Sequence, residues 1–176
     1  MSRRLTLFLA ACTGLFVSNL QADDVAALPG YKSLGSNVAV FGINPLTSFP
    51  PFTAGDSTFL ILPKPDGSKY YVIAKSTSSS VTTVDTNFEN PKLIASFVTT
   101  PSAAAITSNG GKLVVAAGTL HIFETTKDQE LVPGGINTGV TIFDVAVSLD
   151  GTTAYALGTS TSGGFQLNAI NLTTNT

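Results

Sequence analysis

The chain has 176 residues, is 43% hydrophobic and only 11% charged, and carries 24 Thr, 17 Ser, 16 Gly, one Cys and one His. Ample apolar content with little charge excludes an intrinsically disordered chain, which needs the opposite balance. A composition rich in Thr, Ser, Val and Gly also excludes a long-helix protein and favours strands and turns.

Residues 1–22 read as a secretory signal. Arg3 and Arg4 supply the positive start, and Leu5 to Val17 is an apolar stretch. That stretch is shorter than the roughly 20 residues a membrane-spanning helix needs. Ser18 to Ala22 forms the polar end, and cleavage is expected after Ala22, just before Asp23-Asp24. Leu9-Ala10-Ala11-Cys12 offers an alternative, a bacterial lipobox in which Cys12 is lipidated and anchors the chain to a membrane. The processed chain keeps seven Lys against eleven Asp and Glu, a formal charge of −4, with no Arg and no Cys. Its stability must come from a core without disulfides. Such a chain is not expected to bind nucleic acid, which relies on clustered Lys and Arg. The expected localisation is secreted, periplasmic or cell-surface in a bacterium, with membrane contact only through Cys12.

Residues 23–36 form an N-terminal segment, and residues 37–44, containing Val38-Ala39-Val40-Phe41-Gly42-Ile43, read as a lone strand. Pro45 to Pro51 reads as a loop which, with Phe49 and Phe52, packs over a sheet edge. From residue 57 onward a unit of about 40–45 residues repeats, at about 57–98, 102–133 and 141–176. Each unit has an apolar strand, a turn and a second apolar strand. The turns are Asp66-Gly67, Asn109 with Gly111, and Asp150-Gly151, which space the glycines 44 and 40 apart. Asp-Gly and Asn-Gly between strand-like runs are the strongest short-range hairpin signal. A third strand aligns Val81–Thr86 with Leu120–Thr125 and Leu167–Leu172. A fourth follows in the first unit and more weakly in the second. Four antiparallel strands in about 40 residues make one β-propeller blade, so the fold class is all-β, a β-propeller of four-stranded blades. Three units are too few for a ring of four to eight blades, and the third lacks a fourth strand. The chain is therefore expected to be the N-terminal portion of a longer propeller, and on its own to aggregate or form a poorly closed partial ring. A β-sandwich adhesin is the rival fold, but its strands would not repeat one turn at this spacing.

The units resemble the YVTN-type β-propeller repeat of exported bacterial proteins. Pro65-Asp66-Gly67, Tyr71-Val72 and Val84-Asp85-Thr86 carry the resemblance, which spans about residues 37–176. Ile73-Ala74 stands where the eponymous motif has Thr-Asn. The resemblance implies a fold and leaves function open.

Candidate chemistry is sparse. His121 aligns with Thr82 and Asn168, an ordinary strand position, and has no partner legible in sequence. Asp66 and Asp150 are turn residues whose side chains cap nearby amides. Asp85 and Glu124 recur at one strand end and read as a repeated hydrogen bond. Asp144 is the one charged residue in the three innermost strands and is the candidate ligand or metal residue, placed at a central channel. No catalytic residue, cofactor or resident metal is expected. The function reading is a non-catalytic extracytoplasmic binding or scaffolding module for a protein, glycan or small molecule. Its alternative is a propeller hydrolase or lactonase-like enzyme with a metal at the channel mouth.

Overall fold

The computed structural model describes residues 57–75, 79–87 and 89–176, together with the backbone of four strands lying between residues 16 and 53. The described residues contain strands and turns and no helix. The strands form four antiparallel sheets, three of four strands and one of three, each running in simple sequence order.

The first sheet comprises β1 (Phe16–Ser18), β2 (Val25–Leu28), β3 (Asn37–Ile43) and β4 (Leu46–Thr53). The strand read as solitary at 37–44 therefore has partners on both sides, Val25–Leu28 and Leu46–Thr53. The loop expected at Pro45 to Pro51 is largely strand. Pro50 and Pro51 disguised it, but β4 is an edge strand, where a missing amide donor is tolerated. β1 falls inside the segment read as a secretory signal, and the rest of that segment, Cys12 included, lies outside the described residues.

The second sheet contains β5 (Thr58–Pro63), β6 (Lys69–Ala74), β7 (Ser80–Asp85) and β8 (Lys92–Ser96). The third contains β9 (Ala103–Ile106), β10 (Lys112–Ala117), β11 (Thr119–Glu124) and β12 (Gln129–Glu130). The fourth contains β13 (Val140–Val147), β14 (Thr153–Ser160) and β15 (Phe165–Asn171).

The turn between the first two strands of each later sheet is the same object three times. The amides of Gly67, Gly110 and Gly151 donate to the carbonyls of Lys64, Thr107 and Ser148 at 2.8, 2.8 and 2.9 Å. Each glycine has a positive φ, +72°, +67° and +72°. The preceding Asp66, Asn109 and Asp150 accept, through Oδ1, the amides of Ser68, Gly111 and Thr152. The turn glycine of the third sheet is thus Gly110 and not Gly111, and the spacings are 43 and 41. Gly110-Gly111 leaves the alignment ambiguous by one residue; the Asn109 side chain resolves it.

These bonds hold the turn carboxylates below the usual range. For Asp66 the causes are the Lys64 ammonium and then the Ser68 hydroxyl and amide. For Asp150 they are the Ser148 hydroxyl and then Thr152. A folded-state value below the unfolded one adds stability above about pH 4, which is lost as pH falls through the depressed value. Asp66→Asn with Asp150→Asn is expected to flatten the fall in urea midpoint below pH 4 without changing the slope above pH 6.

Successive sheets pack face to face. Tyr71, Ile73 and Val81 of the second sheet meet Leu113, Val115 and Phe123 of the third. Val114, Ala116, Leu120 and Ile122, on the other side of the third sheet, meet Val140, Ile142, Ala154, Ala156 and Ile170 of the fourth. The third sheet is therefore covered on both faces, and β6, β7, β10 and β11 are buried almost throughout. After their opening lysines β6 and β10 are unbroken apolar runs for this reason, while β7 buries the hydroxyls of Ser80, Thr82 and Thr83 as well.

A polar latch repeats at both of these junctions. Lys69 donates to the Thr125 carbonyl at 2.6 Å and pairs with Asp128 at 2.5 Å. The Tyr71 hydroxyl also donates to Asp128, at 3.0 Å. Burial, then the Asp128 charge, pushes the Tyr71 hydroxyl far above its ordinary value and keeps it a donor. One junction later, Lys112 donates to the Leu172 carbonyl and to Asn175 Oδ1. Asp128 and Asn175 both hold positive φ, 54° and 59°, which their short polar side chains tolerate. Lys69→Met strands the half-buried Asp128 carboxylate with one donor fewer and is expected to cost about 1–3 kcal/mol in urea denaturation. Lys112→Met, whose side-chain partner Asn175 is neutral, should cost less.

Candidate functional site

Asp144 lies on β13, the innermost strand of the fourth sheet, at the sheet edge. It is exposed, and its Oδ1 accepts the Val145 amide at 2.9 Å. Strand side chains project from the two faces of their sheet. Asp144 pairs with Leu157, on the face opposite Val145, which packs towards the third sheet. Among the described residues no three His, Cys, Asp or Glu side chains are grouped to hold a metal. Asp66, Asn109 and Asp150, with Gly67, Gly111 and Gly151, belong to the stacked turns. There Gly151 sits against Thr107 and Gly110 against Pro65.

A cleft of about 680 Å³ opens instead between the second and third sheets. Its walls come from Ile94–Thr99, which leave the second sheet, and from the start of β11 with Glu130 and Gly134. The hairpin joining β10 to β11, which borders this space, is very short. Ala117 pairs with Thr119, and Gly118 makes the turn alone at φ +80°. Any Cβ there would meet the Thr99 hydroxyl at 2.8 Å.

His121 organises this cleft. It is 9% exposed. Its Nδ1 lies 2.5 Å from Glu130 Oε1 and its Nε2 lies 3.0 Å from Thr119 Oγ1. The Thr119 hydroxyl donates to the Gly134 carbonyl at 2.8 Å. The Phe97 ring, carried by the second sheet, stacks obliquely on the imidazole at 4.7 Å and meets Phe123 edge-on at 6.4 Å. A polar pair is thus fixed in one orientation in a wall that mixes Phe97, Phe123 and Ile94 with the hydroxyls of Ser96, Thr99 and Thr119; few convergent polar groups among apolar ones are the usual make-up of a small-molecule site.

Sequence reasoning placed His121 on a strand but missed its partners. Glu130 pairs across from Phe123, two residues from His121 on the same face, which makes His121 and Glu130 diagonal neighbours. Only the register of the two-residue β12 reveals this. Phe97 arrives from another sheet and carries no local signal.

No family model and no curated protein matches the chain. Among solved structures it is similar to hydrazine synthase from Kuenenia stuttgartiensis, with a TM-score of 0.65 and 16% sequence identity. The likeness covers 86% of this chain and 44% of that one, so the chain spans less than half of that structure. The likeness shows the fold, an all-β stack of propeller blades.

Proposed function

We propose that this chain is an extracytoplasmic β-propeller binding module that takes a small neutral ligand in the cleft between its second and third sheets. The observation that carries the reading is the His121–Glu130 pair held against Phe97 at the cleft wall. Among the described residues Glu130 is the one acidic residue in that wall, and its Oε1 is already engaged by His121. A ligand with hydroxyl groups and an apolar face, such as a sugar residue, suits that mixture. Export rests on Arg3, Arg4 and the apolar run to Val17, and the repeat pattern of exported proteins agrees with it.

Thr119, His121 and Glu130 also stand in the order of a nucleophile, a base and an orienting acid. The Thr119 proton, however, is directed at the Gly134 carbonyl, which favours binding over hydrolysis. Saturation-transfer NMR with mono- and disaccharides tests the reading. At least one sugar should bind, and its signal should fall about tenfold or more in His121→Ala. Hydrolysis of nitrophenyl esters and lactones should stay at the buffer rate. No sugar binding, or a hydrolysis that disappears in Thr119→Ala, overturns it.

A further inference from the structure

The two faces of the fourth sheet are unequal. Ala154, Ala156 and Ile170 are buried against the third sheet. On the opposite face Tyr155 is 39% exposed, Phe143 44%, Leu167 61% and Phe165 81%. Phe143 and Phe165 meet edge-on at 6.0 Å across this face.

The repeat says what the equivalent faces do. With the turns superposed, Tyr155 corresponds to Tyr71 and Val114, and Leu157 to Ile73 and Ala116. Leu167 corresponds to Val81 and Leu120, since each pairs with the residue just named. All six counterparts are fully buried by the sheet that follows them. The bulge on the innermost strand repeats as well, skipping Phe59 in β5 and Phe143 in β13. Phe59 packs into the junction, while Phe143 is uncovered. This is a blade-stacking face.

Charge departs from the repeat at two places. Asp144 pairs with Leu157 where Leu60 pairs with Ile73 and Ala103 with Ala116. A carboxylate therefore stands where the covered faces carry Leu and Ala. The latch lysine is also missing: Thr153 holds the position of Lys69 and Lys112. In both covered junctions the preceding sheet supplies the cation. Here the preceding sheet supplies an anion. Covering Asp144 with an apolar sheet would bury an unpaired charge, which is strongly unfavourable.

We propose that the far face of the fourth sheet docks an antiparallel β-sheet partner that presents a lysine or arginine to Asp144 from an otherwise apolar surface. Tyr71 donates to a carbonyl and a carboxylate of the sheet that covers it, so Tyr155 is set to donate to the backbone of this partner. This inference is independent of the cleft between the second and third sheets.

The probe is a displayed library of antiparallel β-sheet mini-proteins with one randomised face, panned against the purified chain. Binders should carry Lys or Arg at one fixed position among Val, Ile, Leu and aromatic residues. Their affinity should fall at least tenfold for Asp144→Asn and Asp144→Leu and be lost with Leu167→Asp. Panning against Asp144→Leu should select an apolar residue at that fixed position. Leu93→Ala, on an exposed site of the second sheet, should change nothing. The proposal is overturned if no basic residue is enriched, if Asp144→Asn binds equally well, or if Leu167→Asp has no effect. A homodimer in light scattering that Leu167→Asp dissociates also overturns it, because the occupant is then a second copy of the chain.

Discussion

Leu120→Ala is expected to destabilise the fold by about 2–5 kcal/mol, and Leu167→Ala by less than about 0.5 kcal/mol. The two leucines hold the same position of the repeat, at the start of the third strand of their sheets. Leu120 is fully buried against the fourth sheet, whereas Leu167 is 61% exposed on that sheet's far side. Truncating Leu120 removes transfer free energy and leaves a cavity between two sheets that cannot close over it. Truncating Leu167 changes only solvated surface. Urea denaturation of the two variants checks the difference, read as the shift in midpoint at unchanged slope.

Gly158→Ala is expected to cost about 3 kcal/mol, at the upper end for overpacking. A Cβ at Gly158 would lie 2.5 Å from the Thr141 carbonyl oxygen and 2.7 Å from Val140 Cγ2. The carbonyl belongs to the paired strand β13 and cannot yield without loss of the ladder. The equivalent residue of the second sheet, Ala74, is buried with its methyl intact. The difference arises because β13 carries Val140 and Thr141 ahead of its bulge, where β5 begins at Thr58. The loss should exceed the gain of about 0.4–1 kcal/mol that a Gly→Ala change yields at an unstrained site. Gly134→Ala is the comparison: nothing lies within 4 Å of its Cβ, and only its φ of +81° resists. Thermal melts of both variants should show the larger fall for Gly158→Ala.

The repeat was legible because its signals are local. Asp66-Gly67 and Asp150-Gly151 mark turns by their own chemistry, and the alignment of Val81, Leu120 and Leu167 rests on apolar residues recurring three positions on, at Val84, Phe123 and Ile170. Where two glycines follow Asn109, local chemistry permits both assignments, and a single side-chain hydrogen bond from Gly111 to Asn109 decides. The first sheet was largely invisible: β1 and β2 are three and four residues long, and two prolines interrupt β4. Lys69 and Lys112 did leave a trace, each opening a buried strand. Their targets, the Thr125 and Leu172 carbonyls, lie more than fifty residues away and have no sequence mark. The cleft was illegible for the same reason. It depends on how Phe97 of one sheet meets His121 of the next, and on the register of Glu130. Asp144 stands out in the sequence as a charge on an inner strand; its equivalence to Leu60 and Ala103 needs the pairing register of three sheets.

Thiol labelling tests most directly the claim that one repeat surface is covered twice and open once. Val81→Cys, Leu120→Cys and Leu167→Cys, each made in a Cys12→Ser chain, place one thiol at the same position of three successive sheets. At low denaturant, Leu167→Cys should react with an aromatic disulfide reagent at close to the rate of the unfolded chain. Val81→Cys and Leu120→Cys should be protected at least 100-fold and become reactive only with global unfolding. Equal protection of all three, or fast labelling of Leu120→Cys in the folded chain, would contradict the stacking described here.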